Sequence, residues 1–226
     1  MKQTHPAHGT GSNDMNEKTA PPKIPESLDE RDLSGIRLAH DDAFALISVK
    51  NCLIEGEKAD HLLFRQCVFN NVVFKDVAFE QLDLTDIRFT NCKLSNVDFV
   101  RAVIHRVEFI ECNLLGMSFS GATFRNVLFQ KCNGSYASFR LSDFDKVIFD
   151  ECNLKNADFQ QAKIMSTQFQ NCDLKQVQMS GTPLKGIDFS SSILEGIGVR
   201  IEDLPGAIVS AEQAVHLAKK IGLVVK

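Results

Sequence analysis

All seventeen phenylalanines of this 226-residue chain fall at positions whose number leaves a remainder of four on division by five, from Phe44 to Phe189. Random placement would put about one in five there, so the spacing is a structural rule and has to be read before anything else. From Phe64 to Val199 that register holds 28 positions, and all but Gly134 carry Phe, Leu, Ile, Val or Met. Two residues earlier in each unit stands a smaller side chain, as at Cys67, Val72, Val77, Val97, Ala102 and Cys112, while the other three positions are mostly polar. Inward residues two apart share one face of an extended segment. A helix, turning every 3.6 residues, would carry the same pattern right round its cylinder. Each unit of five is therefore a short extended stretch followed by a turn.

A second period lies inside the first. Cys92, Cys112, Cys132, Cys152 and Cys172 recur every twenty residues, and so do Phe69, Phe89, Phe109, Phe129, Phe149, Phe169 and Phe189. Ten residues away runs another aromatic row, Phe79 to Phe159, continued by Met179 and Val199. Leu94, Leu114, Leu154, Leu174 and Leu194 form the row between them, and a mixed row from Phe64 to Leu184 forms the fourth. Twenty residues thus make one coil with four faces, the aromatic rows on opposite walls. The fold class is an all-β solenoid of about eight coils from 44 to 204, with a dry, side-chain-filled shaft. Coils stacked at strand spacing give a rod about 38 Å long, stable only as an array because one coil cannot fold alone.

The ends differ from the middle. Residues 1–25 are polar, hold four of the six prolines and contain no apolar run, which reads as a disordered tail and neither a signal peptide nor a membrane span. Residues 26–43, with Leu28, Leu33, Ile36 and Leu38 out of phase with the repeat, read as a cap on the first coil. Across 205–226, Leu204-Pro205-Gly206 breaks the repeat and Ser210-Ala211-Glu212-Gln213 has the form of a capping box before a short α-helix. Ala214, Leu217, Ala218 and Ile221 mark its apolar face; Leu223 and Val224 continue that character past Gly222. These six residues are the expected interface of a homodimer joined at the C-terminus. A plainer role for the helix is to block the last coil's open edge.

Chemistry is hard to find. No Cys-x-x-Cys pair, histidine cluster or glycine-rich phosphate loop is present, so no metal or other cofactor is expected. The cysteines read as small buried thiols in a reducing cytoplasm. A smooth rod offers no cleft in which carboxylates would shift their pKa values, so the chain does not read as an enzyme. Between His61 and Arg200, 15 acidic residues face 15 Lys and Arg. The densest acidic stretch is Asp76, Glu80, Asp83, Asp86 and Asp98, the candidates for mimicking phosphates. Gly134, which removes a large inward side chain beside Tyr136, suggests a dent or a relaxed rung, with Tyr136 the candidate for contact with a protein partner.

The runs CNLLG-MSFSG-ATFRN-VLFQK and CNLKN-ADFQQ-AKI resemble the consensus of pentapeptide repeat proteins over about Phe44 to Leu204. That resemblance implies a right-handed quadrilateral β-helix. Within that superfamily, the stretch IHRVEFIECNLLGMSFSGATFRNVLFQKCNGSYASFR and the ending LPGAIVSAEQAVHLAKKIGLVVK are similar to the chromosomal Qnr-like proteins of Gram-positive bacteria. The similarity implies a cytoplasmic homodimer that binds DNA gyrase or topoisomerase IV in place of duplex DNA and protects it from quinolones, without contacting nucleic acid or membrane itself. The alternative is a structural or adaptor solenoid that binds an unrelated protein.

Overall fold

The computed structural model describes residues 18–220 and 222–225. The chain opens with β1 (Asp29–Arg31), and β2 (Ala43–Ala45), β3 (Ile47–Lys50), β4 (Leu53–Glu55) and β5 (Lys58–Asp60) make the first lap. The second lap is β6 (Leu63–Asn70), β7 (Val73–Lys75) and β8 (Ala78–Glu80). The long strands β9 (Asp83–Thr90), β10 (Val103–Ile110), β11 (Thr123–Gln130), β12 (Asp143–Asp150) and β13 (Lys163–Gln170) then stack in chain order, all parallel. Partners on neighbouring coils are twenty residues apart: Phe109 lies beside Phe89 below and Phe129 above. From Ile47 to Asp188 this makes about seven regular turns, with looser pieces at each end. The fold is the β-solenoid that the twin periods of five and twenty require.

The corners explain the period of five. One residue per pentad, two after the large inward side chain, takes a left-handed backbone; from Asp41 to Gln176 the non-glycine examples have φ between 47° and 65°. Such a conformation costs roughly 1–2 kcal/mol for a residue with a Cβ. Asn, Asp and Gly bear it best, and Asn51, Asn71, Asn91 and Gly116 stand there. Each long strand bends at such a corner, as β10 does at Arg106, which drops out of the pairing register between His105 and Val107. Four corners per lap give four walls, named here for their inward rows: the Phe64, Phe69, Leu94 and Phe79 walls.

The shaft is filled. On the Phe69 wall, rings repeat as a parallel stack, with Phe109–Phe129 at 4.9 Å and 4° and Phe129–Phe149 at 4.7 Å and 5°. Across the shaft these rings meet the Phe79 row edge-on, as in Phe129–Phe139 at 6.1 Å and 80°. Both arrangements suit the ring quadrupole. The small inward positions do more than fill space. Cys132 donates to the Phe109 carbonyl at 3.2 Å and Cys152 to that of Phe129 at 3.3 Å; Ser142, Thr182 and Ser192 do the same for Phe119, Phe159 and Phe169. All seven cysteines are free and buried, and burial pushes the Cys67 thiol up. At Gly134 Leu154 leans into the space of the missing side chain, its Cδ2 2.9 Å from where a Cβ would stand. The relaxed-rung alternative describes this site.

Both ends are closed. Leu33 and Leu38 are buried against the first lap, Leu28 is half-buried and Ile36 is exposed, while β1 pairs with β3 as an outer strand. At the other end α1 (Ala211–Lys220) starts in the expected capping box: Ser210 Oγ accepts from the Gln213 amide and Gln213 Oε1 from the Ser210 amide. Gln213 Nε2 also donates to the carbonyls of Phe189 and Ser192, at 2.8 and 2.7 Å, so one side chain both caps the helix and fixes it to the last coil. Leu217 and Ala218 are half-buried, with Leu217 against the core; Ala214 is exposed, and Ile221 lies outside the described residues. Leu223 and Val224 are exposed, Val224 at 86%.

The expectation of a disordered tail over 1–25 needs correcting where the structure describes it. Residues 1–17 lie outside the described residues, but 18–25 lie along the rod. The Ala20 amide donates to Asn126 Oδ1, the Lys23 amide to Asp86 Oδ1, and Gln66 Nε2 to the Lys23 carbonyl. Proline-rich, polar composition indicates an extended chain without regular secondary structure; it carries no information about whether such a chain is docked.

Candidate partner-binding surface

Among the described residues no group of His, Cys, Asp or Glu could hold a metal ion, and no helix is long and apolar enough to cross a membrane. What a partner could meet is the outer side of four walls. In a solenoid, residues close in sequence run round the coil, and a stripe along the rod is built from residues twenty apart. The acidic candidates show the consequence. Asp76, Glu80, Asp83 and Asp86 occupy one lap and therefore face in different directions.

Glu80 and Asp98 are exposed on the Phe79 wall, and Asp76 is exposed at the corner bordering it. Asp83 lies round the next corner on the Phe64 wall, half-buried, accepting from Thr85 Oγ1 at 3.0 Å. Asp86 sits one corner further and is buried. Arg106 grips both its oxygens, at 2.6 and 2.7 Å, and the Lys23 amide takes the third bond at 2.8 Å. Burial alone would push its carboxyl up, but the Arg106 hydrogen bonds, the Lys23 amide and the guanidinium charge outweigh it and hold the pKa below the ordinary value. Asp86 is thus a structural carboxylate with no surface to offer. His105 packs on Arg106, Nε2 to Nη1 2.9 Å, and burial followed by that guanidinium holds its pKa below the usual imidazole value.

Many of the other surface charges pair across coils. Arg88 meets Glu108 at 2.7 Å, Arg125 meets Asp143 and Arg140 meets Asp158 at 3.0 Å, and Lys155 meets Asp173 at 3.1 Å. Lys75 bonds Glu55, and Arg101 bonds Glu80. Both signs occur along the rod, and the five acidic candidates form no continuous stripe; Asp76, Glu80 and Asp98 make a local patch.

Tyr136 stands at the same corner row as Asp76, three coils further along, roughly 14 Å away. It is 64% exposed, with φ 60°, and across the Phe79 wall the next corner of its lap carries Leu141, 62% exposed. Between the acidic patch and this apolar pair the wall is low: Ser118, Ser120 and Ser138 bond one another, at 3.3 and 2.9 Å, and the corners below are Gly116 and Gly121. The fold therefore places Tyr136 and three of the five acidic candidates on one wall. Leu141 is visible only in the folded chain, because a hydrophobic residue at a corner position looks in sequence like any other outward residue.

The family model described as Pentapeptide repeat region matches residues 82–159, and that for Pentapeptide repeats matches 152–190. The chain is a pentapeptide repeat protein. Neither matching family is a family of enzymes. The uncharacterized protein YisX of Bacillus subtilis strain 168 is 36% identical over 85 residues; the match takes in 38% of this chain and 40% of YisX, so this chain spans less than half the length of that relative. Among solved structures, QnrB1, a plasmid-mediated fluoroquinolone resistance protein, aligns over 81% of this chain and all of that one, with 18% identity and a TM-score of 0.42. HetL of the cyanobacterium Nostoc sp. strain PCC 7120, a pentapeptide repeat protein involved in heterocyst differentiation regulation, aligns over 82% and 94%, with 15% identity and a TM-score of 0.34.

Proposed function

We propose that this pentapeptide repeat protein is a non-enzymatic cytoplasmic binding rod, and that its partner is a type II topoisomerase, DNA gyrase or topoisomerase IV, occupied in place of duplex DNA and so protected from quinolones. The observation that carries the reading is the filled, unbranched shaft, which leaves only outer walls and ends to recognise a partner. About seven coils give a rod near 34 Å. Two joined through Leu223, Val224 and the neighbouring helix give about 68 Å, the length of some 20 base pairs at 3.4 Å rise. The similarity of the repeats and of the C-terminal ending to Qnr-like proteins supports the choice of partner, and the Phe79 wall with Asp76, Glu80, Asp98 and Tyr136 is the face assigned to it. No direct contact with nucleic acid is involved.

The pairing of opposite charges across coils favours a second reading, an adaptor that grips an unrelated protein through Tyr136 and Leu141. A mimic of DNA acting through its field alone would present one sign. A supercoiling assay with purified gyrase and ciprofloxacin separates the two. Rescue or inhibition that weakens in the triple variant Asp76→Asn, Glu80→Gln, Asp98→Asn supports topoisomerase binding. Neither rescue nor inhibition over a wide protein range, with gyrase and with topoisomerase IV, removes it and leaves the adaptor.

A further inference from the structure

Residues 18–25 lie on the corner row where the Phe64 and Phe69 walls meet, diagonally across the rod from Tyr136. That row runs Gln66, Asp86, Arg106, Asn126, one residue per coil. Its side chains read the backbone of the segment and not its side chains: Asn126 and Asp86 accept from the amides of Ala20 and Lys23, and Gln66 donates to the Lys23 carbonyl. Arg106, the rung between the two acceptors, bonds Asp86 and holds it in place.

The spacing has a simple origin. Pro21, Pro22 and Pro25 fix φ near −65° and lack amide hydrogens. Between them they set a polyproline-II path, with three residues per turn and a rise of about 3.1 Å. Ala20 and Lys23 are three apart, so their amides point the same way about 9.3 Å from each other. Asp86 and Asn126 are two coils apart, about 9.6 Å at strand spacing. The repeat of the ligand and the repeat of the rod agree within a few tenths of an ångström. Thr19, Pro22 and Ile24 are half-buried in this segment, beside the three hydrogen bonds.

We propose that this corner row is a docking track for an extended, proline-rich peptide, and that residues 19–25 are its built-in ligand. A polyproline-II ligand suits such a track because it is already ordered before it binds. Any segment with free amides three residues apart and prolines between them meets the same acceptors, so the resident strap competes with such a segment of a partner for this side of the rod.

The test uses the full chain. Lys23 offers trypsin a cleavable bond whose flanking amide and carbonyl are both held in the docked strap. In the wild type, cleavage after Lys23 is expected to be at least tenfold slower than in the free peptide of residues 17–26. Asn126→Gly keeps the left-handed corner but removes one acceptor, and should speed cleavage after Lys23 about fivefold with no change in melting temperature. A fluorescent peptide of residues 17–26 should bind the Pro21→Gly/Pro22→Gly variant at least tenfold more tightly than the wild type, and lose that advantage when Asn126→Gly is added. Equal cleavage after Lys23 in the protein and in the free peptide, or a peptide that binds neither protein, would overturn the proposal. A peptide that binds both equally would show that the strap does not occupy the track, and would overturn it too.

Discussion

Phe129 lies between Phe109 and Phe149 at ring spacings of 4.9 and 4.7 Å, and edge-on to Phe139. Its neighbours are held by backbone pairing on both sides, so they cannot close over a missing ring. Phe129→Ala is therefore expected to cost about 3–5 kcal/mol, measured by urea unfolding; a loss under 1 kcal/mol would place the ring outside the shaft. Tyr136 gives the opposite case. It has φ 60° and a largely exposed ring, so Tyr136→Gly removes backbone strain at little cost in packing. Stability is expected to hold or to rise by about 1 kcal/mol while partner binding falls. Unchanged binding would take Tyr136 out of the recognition surface.

At the scale of elements, the strap and the corner beneath it depend on one carboxylate. Asp86 has its folded pKa depressed, so its contribution is fully present above the ordinary aspartate value of about 3.9 and is lost as pH falls through the lower, folded value. Protonation removes the charge that the Arg106 clamp pairs with and weakens the acceptor for Lys23. Hydrogen exchange of the Lys23 amide should stay slow, relative to free peptide, down to about pH 4 and lose that protection below it. In Asp86→Asn, where no titration remains, the relative protection should be flat over the same range. Flat behaviour in the wild type would show that the carboxylate does not hold the strap.

At the scale of the molecule, the solenoid is a one-dimensional array whose coils touch only their neighbours, and its ends decide whether it remains finite. At the C-terminal end Ile208, Val215, Leu223, Val224 and Val225 stay exposed after α1 has docked. Val224→Glu touches neither the shaft nor the docking of Gln213, so a monomer of unchanged melting temperature is expected by sedimentation. A dimer that persists would restrict the helix to the role of lid.

The chain's own order of residues determined the walls, the lap and the filling of the shaft. Inward and outward positions alternate along an extended backbone, and a period of five can be read directly from Phe44 to Val199. It also marked the helix start, because Ser210 and Gln213 are close in sequence. Which surface residues become neighbours was decided only by winding the chain. Partners across coils are twenty apart, so Asp76 and Tyr136 share a wall while Asp83 and Asp86 leave it. Asp86 meets Arg106 on the next coil and Lys23 more than sixty residues earlier. The second task of Gln213, on the carbonyls of Phe189 and Ser192, likewise arises only once the helix lies on the last coil. Side-chain direction is a local property of the backbone, whereas contact between distant residues needs the coordinates of both.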